Sequence, residues 1–341
     1  MEKVTIEQIA KLANVSKATV SRVMNQSGGV SEKKLQSVQN VMKELDYRQN
    51  LVVRGSSAEH TRNIGVVVPE ISKPFYARMI EQVEKYAFKK GYHILLASSQ
   101  MSLEKEKERL MALAAMHVEG MILVSLAREA MPCHIRLKRD KMPLVLFDEK
   151  LEGLNYDAGV FIDNEFAVFN ATDLLIKNQK SKVVFISGGE EQSVTKERLH
   201  GYRSALQLHG LPFDGRLIKY GRYSMRSGYR MVEELIQDQV DFDALIAGSD
   251  MVSIGAMQAF KHYHVRIPEE VQVIGFDNAQ LGETVDPGLT AIESPIPEMA
   301  REAVERLVGI VEKRESPVCR DIKLDTRIIT RGSTKREKPL G

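Results

Sequence analysis

The sequence predicts a small all-α head followed by an α/β body of two doubly wound lobes with parallel sheets. Three helical patterns separated by turn signals occupy the first sixty or so residues. From about residue 62, short apolar runs alternate with amphipathic helical patterns, and this β-α-β alternation occurs twice. The predicted domains are therefore residues 1–46, a linker over 47–61 and a body over 62–341.

The composition describes a folded globular chain of 341 residues, 43% hydrophobic and 28% charged. No apolar run approaches the roughly 18 residues that span a bilayer, and the N-terminus lacks a signal-peptide pattern. We therefore expect no membrane partner and a cytoplasmic location. Cys133 and Cys319 form no metal or redox spacing, which favours reduced thiols. Residues 1–60 carry nine basic and six acidic side chains, a modest excess that suits a polyanionic partner.

The head begins with two short helices joined by a tight turn. Thr5 and Gln8 have the spacing of a capping box, and apolar residues at helical spacing then predict a helix Ile6–Leu12. Asn14 tolerates a left-handed backbone, and Ser16 is a good N-cap for the next helix. Two helices joined in this way form a helix-turn-helix, whose second helix enters the major groove of DNA.

The second helix presents two different faces. Val20 and Val23 should face a small core, and the opposite face carries Lys17, Ala18, Ser21 and Arg22. Arg22 can bind guanine in a bidentate manner, and Lys17 can reach a base edge or a phosphate. Taken alone, residues of this kind more often form an ordinary amphipathic surface helix. A third helix should begin after Ser31, with Glu32 in its first turn and a buried stripe of Leu35, Val38, Val41, Met42 and Leu45.

The body supplies strand candidates at residues 64–68, 93–97, 120–124, 144–147 and 159–162, and a second series at 183–187, 244–247 and 271–275. Helices are predicted at 75–90, 104–117, 165–177, 197–208 and 249–263. Ligands in such folds bind beyond the carboxyl ends of the strands. Two facing lobes also form a cleft that can close by hinging.

Polar and aromatic side chains stand where these strands end. Asp148 and Asp277 each follow a buried strand, and Phe75 and Tyr76 open a helix after the first strand. Carboxylates accept hydrogen bonds from hydroxyl groups, and an aromatic face can cover the apolar side of a sugar ring. Alternatively, the two aspartates could cap helices and the two aromatic residues could belong to the core.

The head closely resembles the lactose-repressor (LacI/GalR) family of bacterial transcription regulators. The matching pattern is Val4-Thr5-Ile6-x-x-Ile9-Ala10-x-x-Ala13-x-Val15-Ser16-x-x-Thr19-Val20-Ser21-Arg22-Val23-x-Asn25. The resemblance implies that Lys17, Ala18 and Arg22 meet operator bases. It also implies that Thr5, Ser16, Thr19, Ser21 and Asn25 hold phosphates or cap helices.

The linker departs from the family pattern. In the family, a short hinge helix forms on DNA, and a pair of leucines wedges into the minor groove. Here Gln49 stands at the usual proline and Ser56, after Gly55, stands at the wedge leucine. The hinge helix could be shorter or absent, the linker could be a flexible tether, or Leu51, Val52 or Val53 could supply the wedge. The linker residues assigned to DNA are Tyr47, Asn50, Val52 and Val53.

The body resembles the family's effector domain, which is similar to periplasmic sugar-binding proteins. Matching stretches include Ile64-Gly65-Val66-Val67-Val68-Pro69, Glu197-Arg198-Leu199-x-Gly201-Tyr202 and Val273-Ile274-Gly275-Phe276-Asp277-Asn278. The resemblance places effector contacts at Phe75, Tyr76, Asp148, Arg198, Tyr223 and Asp277, and at Ser249, where some members use asparagine. It also implies three crossings between lobes, near Ile162, Ile292 and Arg320. Lobe 1 would then comprise about 62–162 and 293–320, and lobe 2 about 163–292 and 321–334.

The predicted function is a DNA-binding transcription repressor without a cofactor, bound as a homodimer to a pseudo-palindromic double-stranded operator. A small-molecule effector, expected to be a carbohydrate, would bind between the lobes. A purine effector or an activator remains possible on the sequence. A sugar-binding receptor does not explain the head, and no catalytic cluster supports an enzyme. His262 and His264 have no nearby third ligand for a metal.

Overall fold

The computed structural model describes residues 6–24, 29–44, 61–313 and 320–335. The chain divides into two compact units, Met1–Glu59 and His60–Gly341. Within the described ranges no helix combines the length and the apolar character needed to cross a membrane. Some predicted sites lie outside these ranges: Thr5, Asn25, Leu45, Tyr47, Gln49, Asn50, Leu51, Val52, Val53, Gly55, Ser56 and Cys319.

The first unit is a helix-turn-helix followed by a third helix, as predicted. Its helices are α1 Ile6–Leu12, α2 Lys17–Met24 and α3 Glu32–Glu44. Asn14 adopts the predicted left-handed conformation at φ 53°, which turns the chain sharply between α1 and α2. All three helices contribute to a small buried core, made of Ile9, Ala10, Ala13, Val20, Val23 and Val38.

The second unit contains two six-stranded sheets. In chain order its strands are β1 Asn63–Val68, β2 His93–Ser98, β3 Met121–Leu123, β4 Leu144–Phe147, β5 Ala158–Ile162, β6 Val183–Ser187, β7 Ile218–Tyr220, β8 Ala244–Ala247, β9 Gln272–Phe276, β10 Thr290–Glu293, β11 Arg320–Leu324 and β12 Arg327–Ile329. Its helices are α4 Pro74–Lys89, α5 Leu103–Ala115, α6 Pro132–Arg139, α7 Asn164–Lys177, α8 Ser193–Leu208, α9 Met225–Gln237, α10 Asp250–His262, α11 Leu281–Thr284 and α12 Ile296–Val311.

The predicted fold of two doubly wound parallel lobes is confirmed. The first sheet has the order β11-β5-β4-β3-β1-β2 and the second β12-β10-β9-β8-β6-β7. Pairing is parallel except at β12, which runs antiparallel to β10 at the edge of the second sheet. Central strands are buried end to end, because helices cover both faces of each sheet.

The chain passes between the lobes three times. It leaves the first sheet after β5 and the second after β10, from which α12 returns to pack against α4 and β5 of the first lobe. The third crossing lies between β11 and β12, after Leu324 and so slightly later than the predicted position near Arg320. Residues 321–324, expected in lobe 2, belong to the first sheet because they pair in parallel register with residues 159–162.

Candidate ligand cleft and DNA-reading helix

A cavity of about 410 Å³ lies between the two lobes, at the carboxyl ends of β1, β4, β6, β8 and β9. All seven residues predicted to contact an effector line it: Phe75, Tyr76, Asp148, Arg198, Tyr223, Ser249 and Asp277. Several further residues line the cavity without having been predicted from the sequence: Glu70, Lys73, Met101, Leu126, Glu149, Gln192, Val194, Arg222 and Ser224. Both lobes contribute polar side chains, so a ligand here would contact the two lobes at once.

Arg198 is the most firmly held charged group of the cleft. Its side chain is 5% exposed, and its guanidinium carbon lies 3.7 Å from the ring centroid of Phe276. Its Nε donates to Asn164 Oδ1 at 2.8 Å and its Nη1 donates to the Gly248 carbonyl at 3.0 Å. Two of the five guanidinium N–H donors are thus used within the described chain, and the others can serve a ligand.

Three carboxylates face the same cavity. Glu149 accepts a hydrogen bond from Ser193 Oγ at 2.9 Å, and Asp277 accepts one from Ser294 Oγ at 3.2 Å. Burial raises the pKa of Asp277 to about 7, with Arg198 opposing this shift and Asp148 adding to it. Burial also raises the pKa of Glu149 to about 7, reinforced by Asp148. The pKa of Asp148 is itself raised by burial, although Arg198 counteracts that shift.

The backbone at the two aspartates explains how they reach the cavity. Asp148 has φ 68° and Asp277 has φ 94°, conformations that non-glycine residues adopt rarely. Each turns the chain sharply directly after a buried strand. Neither residue is the N-cap of a described helix, so the capping alternative does not hold for them.

Phe75 and Tyr76 form an aromatic wall of the cavity. The sequence left open whether they line a ligand site or belong to the core, and they do both. Phe75 and Tyr76 pack against the main core cluster and also line the cavity. Their rings meet edge to face, with centroids 5.3 Å apart and planes at 75°. Burial raises the pKa of Tyr76 well above its ordinary value, so its phenol stays neutral and can donate a hydrogen bond.

Tyr223 and Ser249 lie on the opposite wall. The Tyr223 ring occupies space that only a glycine at position 248 leaves open, because a Cβ there would lie 2.9 Å from Tyr223 Cε1. Ser249 is the N-cap of α10, where its Oγ accepts from the Val252 amide at 3.3 Å. Ser249 therefore supports the cavity wall through a capping bond as well as lining it.

Two buried acids behind the cavity hold its loops in place. Asp250 is 3% exposed, and its Oδ2 accepts from the Ala279 amide, which pins the loop that carries Asp277. Its Oδ1 is buried without a hydrogen-bond partner, and burial raises the pKa of Asp250 to about 8, with Asp277 adding to the shift. No sequence pattern had distinguished this residue from an ordinary helix start.

Glu106 fixes a cavity loop of the first lobe, as Asp250 does in the second. Its Oε1 accepts from Ser125 Oγ at 2.5 Å and lies 3.2 Å from His134 Nε2, while its Oε2 accepts from the Leu126 amide at 2.9 Å. The Glu106 and His134 side chains are fully buried and Ser125 is 2% exposed, so no substrate can reach this Ser–His–Glu group. Its effect is to fix Leu126, which lines the cavity.

The second helix of the head has the predicted two-faced geometry. Val20 and Val23 are buried, while Lys17, Ala18, Ser21 and Arg22 are exposed and Thr19 is half-buried. Ser16 caps α2, since its Oγ accepts from the Thr19 amide at 3.2 Å. Lys17 forms an ion pair with Glu7 of α1. Such an exposed ion pair is weak, and a phosphate or guanine edge can replace it.

Comparisons with known proteins give matches for both the helical head and the α/β body. Residues 5–50 match the family described as bacterial regulatory proteins, lacI family, and residues 172–334 match the periplasmic binding protein-like domain. Catabolite control protein A of Priestia megaterium is 32% identical, over 97% of this chain and 99% of that protein.

Solved structures extend the likeness to the fold. The transcriptional regulator CelR in complex with cellobiose is 30% identical, with a TM-score of 0.74 over 97% of this chain and all of that one. The lac repressor dimer bound to operator and an anti-inducer is 21% identical, with a TM-score of 0.85 over 98% of this chain and 99% of that one. The identity and coverage of these matches establish that the chain belongs to the lacI family of bacterial transcription regulators.

Proposed function

We propose that this lacI-family regulator is a repressor whose operator affinity is controlled by a carbohydrate bound in the interlobe cleft. The observation that carries the proposal is that the seven side chains expected from the family resemblance converge on one cavity lined by both lobes. Carboxylates, a guanidinium and an aromatic wall are groups that bind sugar hydroxyls and ring faces. The cellobiose held by the related regulator CelR supports the same ligand class.

The DNA contacts are assigned to one exposed face of the head. Lys17, Ala18 and Arg22 would read base edges, and Ser16, Thr19 and Ser21 would position the helix on phosphates. Thr5, Asn25, Tyr47, Asn50, Val52 and Val53 remain predicted DNA contacts outside the described residues.

The regulator would act as a homodimer on a pseudo-palindromic operator, since two-fold protein symmetry matches half-site symmetry. The lac repressor dimer bound to operator supports this assembly. The protein would work in the cytoplasm and associate with the nucleoid when bound to DNA. Control by a ligand requires that the ligand bind the two states of the body with different affinity.

Selection of bound fragments from randomised DNA tests the reading helix. Exchanging the pair Lys17-Ala18 for Gln-Thr should change the selected bases at a few half-site positions, because these side chains contact base edges. Ser16→Ala should weaken binding to all sequences without changing the preferred one, because a cap positions the helix but reads no base. An unchanged preference in the Lys17-Ala18 variant would remove this pair from the readout.

An electrophoretic shift with the selected operator tests the cleft. Addition of mono- and disaccharides should change operator affinity for at least one sugar. The same sugar should have no effect on a variant with Arg198→Ala. If no sugar changes operator affinity, the carbohydrate assignment fails, whereas the family assignment does not depend on this result.

A further inference from the structure

The buried part of the cleft carries more negative than positive charge. Asp148 and Glu149 line it from the loop after β4 and Asp277 lines it from the loop after β9, and Arg198 is a buried cation facing them. Two other cations reach the cavity wall. Lys73 donates its Nζ to the Tyr223 carbonyl and lies 3.8 Å from Glu70, and the Arg222 side chain is exposed at the rim. Neither cation therefore balances the surplus of carboxylates inside.

The three carboxylates also have unused capacity to accept hydrogen bonds. A carboxylate offers about four acceptor positions. Asp277 accepts a hydrogen bond from Ser294 Oγ, and Glu149 accepts one from Ser193 Oγ and one from the Val194 backbone amide. In the described part of the chain, no side-chain or backbone donor is assigned to the Asp148 carboxylate. A bound molecule that displaces water from this site must bring hydrogen-bond donors if these acceptors are to stay satisfied.

Arg198 is less able to receive an anion than its charge suggests. Its Nε and Nη1 already donate to Asn164 and Gly248, and its guanidinium stacks on Phe276. Because Nε is occupied, the side-on fork of Nε and Nη2 is not available to clamp a phosphate or carboxylate. The electrostatic attraction of Arg198 is further offset by the nearby carboxylates, whose mutual proximity helps to raise the pKa values of Asp277 and Glu149.

Building on the carbohydrate function proposed above, we propose that the cleft selects an uncharged sugar and excludes its phosphorylated and carboxylated derivatives. Hydroxyl groups of the sugar donate to Asp148, Glu149 and Asp277, and the remaining Arg198 donors bind a hydroxyl or ring oxygen. The cavity of about 410 Å³ lies in the lower part of the range for small-molecule pockets, which suits one or two sugar rings. Glu149, which the sequence analysis did not identify, becomes a residue that determines charge specificity.

The experiment is a thermal-shift screen of the full chain with matched sets of ligands at constant ionic strength. Each neutral sugar, such as glucose, galactose or cellobiose, is compared with its 6-phosphate and uronic acid where these exist. We expect stabilisation by one or more neutral sugars, with affinity at least about tenfold lower for the anionic partner, equivalent to about 1.4 kcal/mol. Titration calorimetry on each hit supplies the dissociation constants.

Two contrary outcomes are distinguishable. If an anionic derivative binds as tightly as its neutral parent or more tightly, charge selection is wrong while the carbohydrate function stands. If no neutral or anionic sugar stabilises the protein, the carbohydrate function itself is wrong, and the selectivity falls with it.

Variants test which residues cause the discrimination between neutral sugars and their anionic derivatives. Measured above pH 8, where Glu149 with its pKa of about 7 is ionised, Glu149→Gln preserves side-chain shape and removes one charge. The ratio of neutral to anionic affinity should then fall about tenfold, and Asp148→Asn should act in the same direction. Glu108→Gln is the control, because Glu108 is exposed on α5 and outside the cavity. Melting without ligand verifies that each variant folds. If the ratio of neutral to anionic affinity is unchanged in both Glu149→Gln and Asp148→Asn, the assignment of charge selection to these carboxylates is wrong.

Discussion

Arg198 shows at the residue scale how a single side chain is prepared for a ligand. Its planar group lies on Phe276 and is oriented by Asn164 and the Gly248 carbonyl, so little freedom remains to be lost on binding. A lysine keeps the charge but lacks the planar fork. We expect Arg198→Lys to lower affinity for the selected sugar at least about tenfold, a typical effect of losing a buried charged hydrogen-bond donor.

Calorimetric titration measures this change. Arg226→Lys, an exposed position on α9, is the matched control and should bind like the parent protein. Equal affinities of the Arg198→Lys variant and the parent would mean that charge alone, without the fork geometry, accounts for the contribution of Arg198.

Asp250 leads to a pH-dependent prediction. The folded state raises its pKa from 3.8 to about 8, so the folded protein retains a proton that the unfolded chain loses. Stability therefore falls as pH rises between these two values, and the full penalty is present above about pH 8. Asp250→Asn removes this penalty and keeps an oxygen to accept from the Ala279 amide.

Urea unfolding at several pH values tests this argument. At pH 8.5 the Asp250→Asn variant should be more stable than the parent by about 1.4 kcal/mol or more, the equivalent of at least one pKa unit. The difference should shrink as pH falls toward 5. A constant difference across this range would show that Asp250 does not titrate as argued.

Cavity residues could be predicted from the sequence when their position relative to a strand was enough to place them, and not when a backbone turn or a distant partner placed them. Asp148 and Asp277 were predictable because parallel sheets place ligands beyond strand ends, and both residues follow a buried strand directly. Glu149 was missed because its direction depends on the left-handed turn at Asp148. Lys73 was missed because its partner, the Tyr223 carbonyl, is 150 residues away in the chain.

At the scale of the element, a continuous apolar run, more than strand length, decided which strands could be predicted. The eight strands found in the sequence are central or carry an apolar run, whereas β7, β10, β11 and β12 were overlooked. These have three to five residues, and β11 reads Arg-Asp-Ile-Lys-Leu, with polar positions at a sheet edge. So short a segment has no distinctive period, and its pairing is determined by the neighbouring strand.

The α5 helix allows an element-scale prediction. Glu106 ties α5 to the loop after β3 by accepting from Ser125 and the Leu126 amide and by contacting His134. Glu106→Ala leaves these buried donors unpaired, so the free energy of unfolding should fall by about 3 kcal/mol. Chemical denaturation measures the change.

Glu108, two residues along the same helix, is exposed and provides the control. Glu108→Ala should alter stability by less than about 0.5 kcal/mol. Similar losses in the two variants would mean that helix propensity, and not the buried network, accounts for the effect at Glu106.

At the scale of the body, hydrogen bonds join the two lobes across the cleft. Ser193 of the second lobe donates to Glu149 of the first, and Arg78 Nη1 of the first lobe donates to the Asn278 carbonyl at 3.0 Å. Arg128 and Glu191 form an ion pair at 2.8 Å. These bonds favour an arrangement in which the ligand touches both lobes, so weakening them should reduce the fraction of binding-competent molecules and with it the apparent affinity.

The Arg128–Glu191 pair tests this coupling most cleanly, because neither side chain lines the cavity. Arg128→Glu places like charges across the lobes and should weaken sugar binding by about three- to fivefold, the scale of an exposed ion pair. Combining Arg128→Glu with Glu191→Arg restores opposite charges and should recover the affinity, and a double-mutant cycle of dissociation constants isolates the pair. Because Glu191 also lies 3.2 Å from Lys196, Glu191→Arg alone completes the cycle and accounts for that contact. Additive losses without recovery would show that the pair contributes nothing to closure of the lobes.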